Sequence, residues 1–384
     1  MRRLTLGVLA NEFFDPELGR MGGFGWAARQ IARCFADPAL GVDIVYLTGE
    51  LRARPGQQEI VVHGTRLIPR QRSKLRDILR VRAEKPDLLL VMDYRPNYRL
   101  VCWALPRTPM IVWVRDPRPP DDVAKVNTLS IPGQNGTRPK GILQPDCTSL
   151  GTIARASRWL GRPLLFASPA PHLRKKLSRM IGMEVDEFSF LPNPIDLEPG
   201  DVRKSERPLV ASLARLDPYK RPWLLAELAR RFPQADFVSA GRAHYQGPGS
   251  WEPESLPRNL RLAGQLDDCA KTSLLSSAWV LVNTSIHEGL AVSLLEGLAC
   301  EAPLLACVDP GSVVSKFGIF AGRFDGSGLD ALPSLTAGLE RLLSDAELRR
   351  RLGKEGRRWV EATHNRRRFI EAFSDLCGRA RVLR

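Results

Sequence analysis

Short apolar runs alternate with helical patterns along almost the whole chain, and this alternation limits the fold more than any other feature. Strands buried on both faces read as continuous apolar runs, and helices that connect them produce a parallel α/β sheet. In the first half, the predicted strands are Leu4–Ala10, Asp43–Gly49, Asp87–Tyr94, Met110–Arg115, Leu164–Ser168 and Phe188–Pro192, and the clearest helical patterns are Gly25–Ala36, Lys74–Glu84 and Pro171–Ile181.

The alternation is interrupted once, near residues 197–208 (LEPGDVRKSERP), where Pro, Gly and mixed charges indicate a linker. It then resumes with strand Leu209–Leu216 and helix Pro222–Arg231, and the last segment, Glu340–Arg384, is helical and rich in Arg. A chain of 384 residues exceeds the usual size of one hydrophobic core. We therefore expect two α/β domains, each resembling a Rossmann fold.

The composition is strongly basic. The chain has 57 basic and 42 acidic residues, a formal net charge of +15, and 46 of the basic residues are Arg. This bias reflects either a GC-rich genome or anionic partners such as phosphorylated substrates, acidic lipids or nucleic acid. The sequence lacks a zinc finger, a recognition-helix signature and a basic motif interleaved with aromatic residues, so nucleic acid is not the expected partner.

Cysteine usage and hydropathy predict a cytoplasmic protein. The seven cysteines are scattered, none forms a CxxC pair, and none lies at metal-ligand spacing from His. We expect free thiols in a reducing compartment and no metal site. No apolar run reaches the roughly 18 residues of a membrane-spanning helix.

Three motifs contain residues suited to binding phosphates and sugars. The first is MGGFG at Met21–Gly25, between the first strand and a helix. Glycines there let backbone N–H groups approach a phosphate at the helix N-terminus, where the dipole also favours an anion. A glycine-rich turn that only closes the connection explains this motif equally well.

The second motif is RLDPYKRP, in which Arg215 ends a strand and Lys220 precedes a helix that begins at Pro222. Both cations can therefore point to the carboxyl edge of the sheet, where doubly wound folds bind ligands. Two fixed cations suit a diphosphate leaving group, whereas the alternative is a solvated basic loop.

The third motif is HEGLAVSLLEGLA, with Glu288 before a helix and Glu296 within it. Glu296 has apolar neighbours, where an unpaired carboxylate is costly, so it requires hydrogen-bond donors such as ribose hydroxyls. The alternative is a structural role in capping a neighbouring loop. The N–H groups of Gly289, Leu290 and Ala291 at the helix start predict a second anion site.

Together these motifs resemble the family 4 glycosyltransferases of the GT-B fold, in which two Rossmann-like domains face each other across a cleft. The resemblance depends on the glycine loop, the R-x4-K spacing, the E-x7-E spacing and their order, and LPNPID at Leu191–Asp196 resembles the junction of the family. It implies an acceptor-binding domain at residues 1–197, to which a C-terminal helix near 365–384 returns. Residues 198–364 would form the donor-binding domain.

The resemblance also implies a retaining, metal-independent transfer of a hexosyl group from a nucleotide diphosphate sugar to a glycan, lipid-linked or small-molecule acceptor. Arg215 and Lys220 would neutralise the diphosphate, Glu288 would contact sugar hydroxyls, and Glu296 would contact the ribose. The amides of residues 289–291 would face sugar and phosphate, and Gly22 and Gly23 would approach the diphosphate from the first domain.

One segment departs from the family. Many relatives carry His after the strand that here ends in WVRDPRP, so Arg115 or Asp116 would take its place. Asp116 would then orient the acceptor and Arg115 would hold an anion, unless the two form a structural ion pair. His287 is expected to pack or hydrogen-bond locally rather than act as a base.

Two other classes of function fit parts of the sequence: a nucleotide-sugar epimerase of the same architecture, and a non-catalytic protein that binds membrane or nucleic acid. The basic segments at 66–85 and 173–183 mix cations with apolar residues, a pattern typical of helices lying on anionic bilayers. Ordinary Rossmann helices with a solvated Arg face show the same pattern.

Overall fold

The computed structural model describes residues 3–10, 12, 22–47, 60–62, 64–69, 73–92, 98–142, 147–197 and 202–380, apart from the side chains of residues 147–149. Fourteen strands lie in these ranges: β1 Leu4–Leu9, β2 Val42–Tyr46, β3 Ile60–Val62, β4 Thr65–Leu67, β5 Leu88–Val91, β6 Met110–Trp113, β7 Leu164–Ser168, β8 Phe188–Phe190, β9 Leu209–Leu213, β10 Asp236–Ala240, β11 Leu260–Gly264, β12 Val280–Asn283, β13 Leu304–Ala306 and β14 Gly318–Phe320.

The same ranges contain thirteen α-helices: α1 Gly23–Cys34, α2 Lys74–Ala83, α3 Tyr98–Ala104, α4 Pro120–Asn127, α5 Cys147–Trp159, α6 Leu173–Ile181, α7 Pro222–Arg231, α8 Asp268–Ser277, α9 Val292–Ala299, α10 Val313–Phe317, α11 Leu332–Ser344, α12 Ala346–Thr363 and α13 Arg366–Arg379. Helices follow most of the buried strands, as the alternation in the sequence predicts. No helix among the described residues is long and apolar enough to cross a bilayer.

The first unit is built on a sheet in the order β3-β4-β2-β1-β5-β6-β7-β8. All neighbouring strands are parallel except β3 and β4, which form an antiparallel pair. The central strands β5 and β6 are buried along their full length, which explains their uninterrupted apolar sequence. Each of the six predicted strands in this half corresponds to an observed strand.

The second unit has a parallel sheet in the order β11-β10-β9-β12-β13-β14. The first strand of the unit, β9, lies between the second, β10, and the fourth, β12, so the chain reverses direction across the sheet at the β9/β12 pair. In doubly wound sheets this topological switch point leaves a crevice outside the carboxyl ends of the two strands. The predicted two-domain α/β architecture is confirmed.

The chain crosses between the units more often than one linker allows. The first unit comprises residues 1–119, 145–194 and 364–384, and the second comprises 120–144 and 195–363. Residues 120–144 were predicted within the first domain, but they pack with the second. The reason is that Val126, Leu129 and Ile131 belong to the hydrophobic core of the second unit.

The C-terminal helix α13 belongs to the first unit, the position expected for residues 365–384. The Phe369 ring lies 5.3 Å from that of Trp113 on β6 and 6.3 Å from that of Phe35 after α1. Phe369 and Phe373 are almost completely buried. At the start of this segment, the Nδ1 atom of His364 accepts a hydrogen bond from the backbone N–H of Asn193 at 3.2 Å.

Candidate functional site

The loops after β9 and β12 carry most of the predicted site residues. Because β9 and β12 are neighbouring parallel strands, residues 214–221 and residues 284–291 emerge at the same edge of the second sheet. This edge is the switch point at which α/β folds of this kind bind ligands. The fold therefore brings the second and third sequence motifs together.

Lys220 and Glu288 form an ion pair across these loops. The Nζ atom of Lys220 lies 2.6 Å from Oε1 of Glu288, and the side chains are 17% and 10% exposed. The same carboxylate oxygen accepts a hydrogen bond from Oγ of Ser285 at 2.6 Å and from Nδ2 of Asn283 at 3.3 Å. The carboxylate is thus held in position by donors from its own loop, and Lys220 is held beside it.

The Arg221 side chain links the two loops by hydrogen bonds, a role that the sequence motifs did not indicate. Its side chain is completely buried and its backbone is left-handed, with φ of 47°. Nε donates to the carbonyl of Thr284 at 2.8 Å, and Nη2 donates to that of Ser285 at 3.0 Å. Nη1 donates to the carbonyl of Phe324 at 2.8 Å. A charged guanidinium inside the unit is thereby satisfied by three backbone acceptors.

Thr284 completes this connection in the opposite direction. Its Oγ1 donates to the carbonyl of Lys220 at 2.7 Å, so each loop donates to the backbone of the other. Burial lowers the pKa of Arg221, and the nearby side chains of Cys307 and Asp325 partly offset this decrease. The guanidinium of Arg nevertheless stays protonated in proteins.

Arg215 lies beside a second acidic group at the end of β9. Its Nε is 3.3 Å from Oδ2 of Asp217, and its Nη1 is 3.3 Å from Nδ1 of His244. The Asp217 carboxylate is almost fully buried and also accepts the backbone N–H of His244 at 3.1 Å. About a third of the Arg215 side chain remains exposed, so an anion can still reach it.

Glu296 obtains its donor from a neighbouring helix. Nζ of Lys271 on α8 lies 2.6 Å from Oε1 of Glu296 on α9, with exposures of 17% and 12%. Lys271 also lies 3.3 Å from Asp268. Glu296 does require a polar partner, as its apolar neighbours predict, and Lys271 supplies one. Contact with a ribose stays a prediction.

The α9 N-terminus has no side-chain cap: its N-cap residue is Ala291, which has no side-chain oxygen. Backbone N–H groups in the first turn of a helix lack intrahelical acceptors and attract anions. Gly289, Leu290 and Ala291 lie directly before this positive helix end, which begins at Val292. Contact of their amides with a sugar or phosphate stays a prediction.

The glycine loop of the first unit already holds an acidic side chain. Oε2 of Glu12 accepts the backbone N–H groups of Phe24 and Gly25, both at 3.0 Å, at the beginning of α1. A Cβ at Gly22 would lie 2.7 Å from both Glu12 carboxylate oxygens, whereas at Gly23 it would meet nothing within 4 Å. The turn does bind an anion, which is a carboxylate of the chain itself.

Arg115 and Asp116 each interact with another polar side chain. Arg115 is buried, donates from Nη1 to Oδ1 of Asn193 at 2.7 Å, and stacks over the Trp113 ring at 4.5 Å. Asp116 accepts from Arg118 at 2.6 Å. Arg115 thus contributes to the packing of the first unit, and Asp116 is partly exposed.

His287 is buried, and its Nδ1 lies 3.7 Å from Oδ2 of Asp122 on α4. This local contact is the role expected for it. Among the described residues, no group of three or more His, Cys, Asp or Glu side chains is arranged to hold a metal ion.

Sequence reasoning missed Arg221, Asp217, His244, Lys271 and Glu12. Asp217 and Arg221 lie inside a motif that was recognised, so a search for charged residues within it would have found them. The other three lie outside the motifs that they serve, and spacing along the chain contains no signal for them.

Comparison with known proteins finds a family match within the second unit. Residues 196–359 match the family model Glycosyl transferases group 1. A trehalose synthase of Rubrobacter xylanophilus is 27% identical over 217 residues, which is 47% of this chain and 50% of the relative. The match thus spans about half the length of that curated protein.

Solved structures show the same fold. Sucrose-phosphate synthase from Thermosynechococcus elongatus has a TM-score of 0.70 at 17% identity, covering 98% of this chain and 99% of its own. Anabaena HepE in complex with UDP-glucose has a TM-score of 0.69 at 12% identity over 98% and 100%. Pneumococcal O-GlcNAc transferase GtfA in complex with UDP and GlcNAc has 0.68 at 10% over 99% of each chain. Residues 196–359 are thus similar to the Glycosyl transferases group 1 family, and the chain has the GT-B fold.

Proposed function

We propose that the protein is a retaining, metal-independent glycosyltransferase that moves a hexosyl group from a nucleotide diphosphate sugar to an acceptor hydroxyl. The observation that carries the proposal is the meeting of Arg215, Lys220, Glu288 and the uncapped α9 N-terminus at one switch point. Of the similar structures, HepE is in complex with UDP-glucose and GtfA with UDP and GlcNAc, which supports a nucleotide-sugar donor.

In the transition state of glycosyl transfer, positive charge develops on the anomeric carbon and negative charge develops on the departing diphosphate. Arg215 and Lys220 would neutralise that diphosphate, together with the amides of residues 289–291. Lys220 is already paired with Glu288, so a bound diphosphate would share this cation with the carboxylate. Preorganised donors of this kind stabilise developing charge without reorganisation during the reaction.

Glu288 would hold hydroxyls of the transferred sugar, since Ser285 and Asn283 fix its carboxylate. Glu296, held by Lys271, would accept from the ribose. For retention we favour front-side attack, in which the acceptor oxygen bonds to the anomeric carbon on the face that the diphosphate leaves. The departing phosphate oxygen takes the hydroxyl proton.

The test is release of nucleoside diphosphate from a panel of donors by Arg215→Ala and Lys220→Ala variants. Loss of one preorganised donor costs about 10²–10³ in kcat, and we expect a loss of that size in each variant. Arg230→Ala is the matched control because it removes an exposed cation of α7 that pairs with surface Glu227. Near-normal turnover in both site variants, with folding intact, contradicts the assignment.

Three further measurements separate the components of the proposal. NMR of the product reports whether the anomeric configuration is retained, and a trapped covalent glycosyl–enzyme adduct contradicts front-side attack. Turnover that a chelator abolishes and magnesium restores contradicts metal independence. Isomerisation of the donor sugar without any acceptor would instead assign the chain as an epimerase, and absence of donor binding would favour a non-catalytic protein.

The acceptor remains a glycan, a lipid-linked intermediate or a small molecule. A screen of acceptors with the donor that is turned over would distinguish these classes by the mass of the product.

A further inference from the structure

Three helices of the first unit leave large apolar side chains in solvent. Trp159 at the end of α5 is 83% exposed, and Trp103 on α3 is 53% exposed. Leu75 and Leu79 on α2 are 65% and 57% exposed. Single exposed apolar residues are ordinary, whereas several of them on neighbouring helices are typical of an interaction surface. We call this group, together with Leu160, the α2–α3–α5 face.

Hydrogen bonds place the three helices side by side. Nε of Arg82 on α2 donates to the carbonyl of Ala104 at 2.9 Å, at the end of α3. From the other side, Nη1 of Arg162 after α5 donates to the carbonyls of Cys102 and Leu105 at 3.1 and 3.3 Å. The Trp103 end of α3 is therefore held between α2 and α5.

The exposed apolar residues lie on the same helices as these contacts. Leu75, Leu79 and Arg82 are four and three residues apart, so they share one side of α2, and Arg82 reaches α3. Trp103 and Leu160 line one shallow cavity between α3 and α5. Trp159 directly precedes Leu160 at the end of α5.

The three helices of this face are strongly basic. Residues 73–85, 98–109 and 147–163 contain ten basic residues and two acidic ones. The acidic pair does not offset the cations at the surface, because Asp77 is buried and Glu84 is held by Arg66 at 2.8 Å. The exposed cations at or beside the apolar group are Lys74, Arg76, Arg82, Arg107, Arg155 and Arg158.

The second basic segment predicted from sequence has a different surface. On α6 the apolar residues Leu173, Leu177, Met180 and Ile181 are all buried. Segment 173–183 therefore presents cations but no apolar face, as an ordinary amphipathic helix of the core does. In segment 66–85, the residues 70–72 lie outside the described part of the chain, and α2 supplies the exposed leucines.

We propose that the α2–α3–α5 face docks the protein on an anionic lipid bilayer. Trp prefers the membrane interface because its ring is apolar and its N–H is polar, and Arg bears a charge that binds anionic headgroups. A protein partner would need an acidic rim around an apolar pocket to match so many cations. A bilayer containing phosphatidylglycerol offers both properties over its whole surface.

The test is flotation of the full chain with vesicles of phosphatidylcholine alone or with phosphatidylglycerol, at low and high salt. Each lost cation lowers partitioning about fivefold, so Arg155→Gln/Arg158→Gln should lower it by at least tenfold. Trp103→Ser/Trp159→Ser should lower it similarly at both salt concentrations. The matched control is Arg350→Gln/Lys354→Gln, which removes two exposed cations of α12 in the second unit.

The proposal is supported if both face variants lose binding to anionic vesicles and the α12 variant keeps it. Failure of the unaltered protein to float with anionic vesicles overturns it, as does an equal loss in the α12 variant, which would indicate only net charge. Light scattering tests whether the face binds a second copy of the chain instead. If the unaltered protein is a dimer that does not bind vesicles, and the tryptophan variant is a monomer, the face is assigned to a second copy. None of these measurements uses transferase activity, so they are independent of the proposed function.

Discussion

Replacement of Arg221 tests how the site is supported. Its guanidinium is completely buried and donates to three carbonyls, two of which belong to the loop that carries Glu288. Arg221→Ala removes all three donors and leaves the carbonyls of Thr284, Ser285 and Phe324 in the interior. Because Lys220 precedes Arg221 directly, both sides of the Lys220–Glu288 pair lose support in this variant.

The magnitude follows from the number of acceptors. A buried acceptor without a partner costs about 1–3 kcal/mol. A carbonyl keeps a second lone pair and a small cavity admits water, so we take the lower end for each. The second unit should then lose about 3 kcal/mol of unfolding free energy, which lowers the Tm of a unit of this size by about 6–12 °C.

The left-handed backbone of Arg221 provides an internal check. A residue with a side chain pays about 1 kcal/mol or more at positive φ, whereas glycine does not. Arg221→Gly should therefore be more stable than Arg221→Ala by about 1 kcal/mol, although both lack the guanidinium. Arg230→Ala, on the exposed side of α7, should stay within about 0.5 kcal/mol of the unaltered protein.

The assay is thermal unfolding followed by circular dichroism, with donor turnover measured on the same samples below the transition. We expect the Arg221 variants to lose turnover even where they are fully folded, because the Lys220 and Glu288 loops no longer hold each other. A fall in Tm of less than about 2 °C in Arg221→Ala would refute the reasoning, and so would full turnover.

Three other outcomes can be measured directly. Burial lowers the pKa of His364 to about 4, so the folded protein binds this proton less readily than the unfolded chain does. Stability should fall as the pH drops from about 6.5 to about 4, by as much as about 3 kcal/mol, and unfolding scans of His364→Asn should show a smaller dependence. Lys271→Met should raise the KM for the donor more than it lowers kcat, since it removes the ammonium that positions the carboxylate of Glu296; an unchanged KM in steady-state kinetics would separate Glu296 from donor binding. Glu12→Gln should tighten binding of a nucleoside diphosphate severalfold in calorimetry if Gly22 and Gly23 receive the phosphates, and weaker binding would contradict that role.

The alternation of apolar runs and helical patterns was sufficient to predict the two α/β units, because strands buried on both faces need continuous apolar sequence. It did not predict the β3–β4 pair. Each of these strands has only three residues, so no period can be recognised over that length. Short edge strands of this kind depend on pairing with a neighbour rather than on local sequence.

The segment 120–144 shows a different limit. Val126, Leu129 and Ile131 are buried in the core of the second unit. Periodicity does not indicate which of two cores buries them, because that depends on contacts between residues far apart in the chain. The second unit contains residues 120–144 as well as residues 195–363.

The candidate site was predictable where its residues lie in one motif and not where they meet through the fold. Arg215, Lys220 and Glu288 were found because strand ends place them at one sheet edge. Lys271 lies 25 residues before Glu296, and only the packing of α8 against α9 brings them within 2.6 Å. The Glu12 carboxylate at the glycine loop was not predicted for a similar reason, because it lies 12 residues before Phe24, whose N–H it accepts.

The return of α13 to the first unit also affects the order in which the protein can fold during synthesis. Phe369 and Phe373 are fully part of the core around Phe35, yet they are separated from it by more than three hundred residues. A ribosome therefore releases the whole second unit before it supplies the helix that covers Phe35 and Trp113. Until then the first unit has an open apolar surface, and the nascent chain must carry that surface through most of its translation.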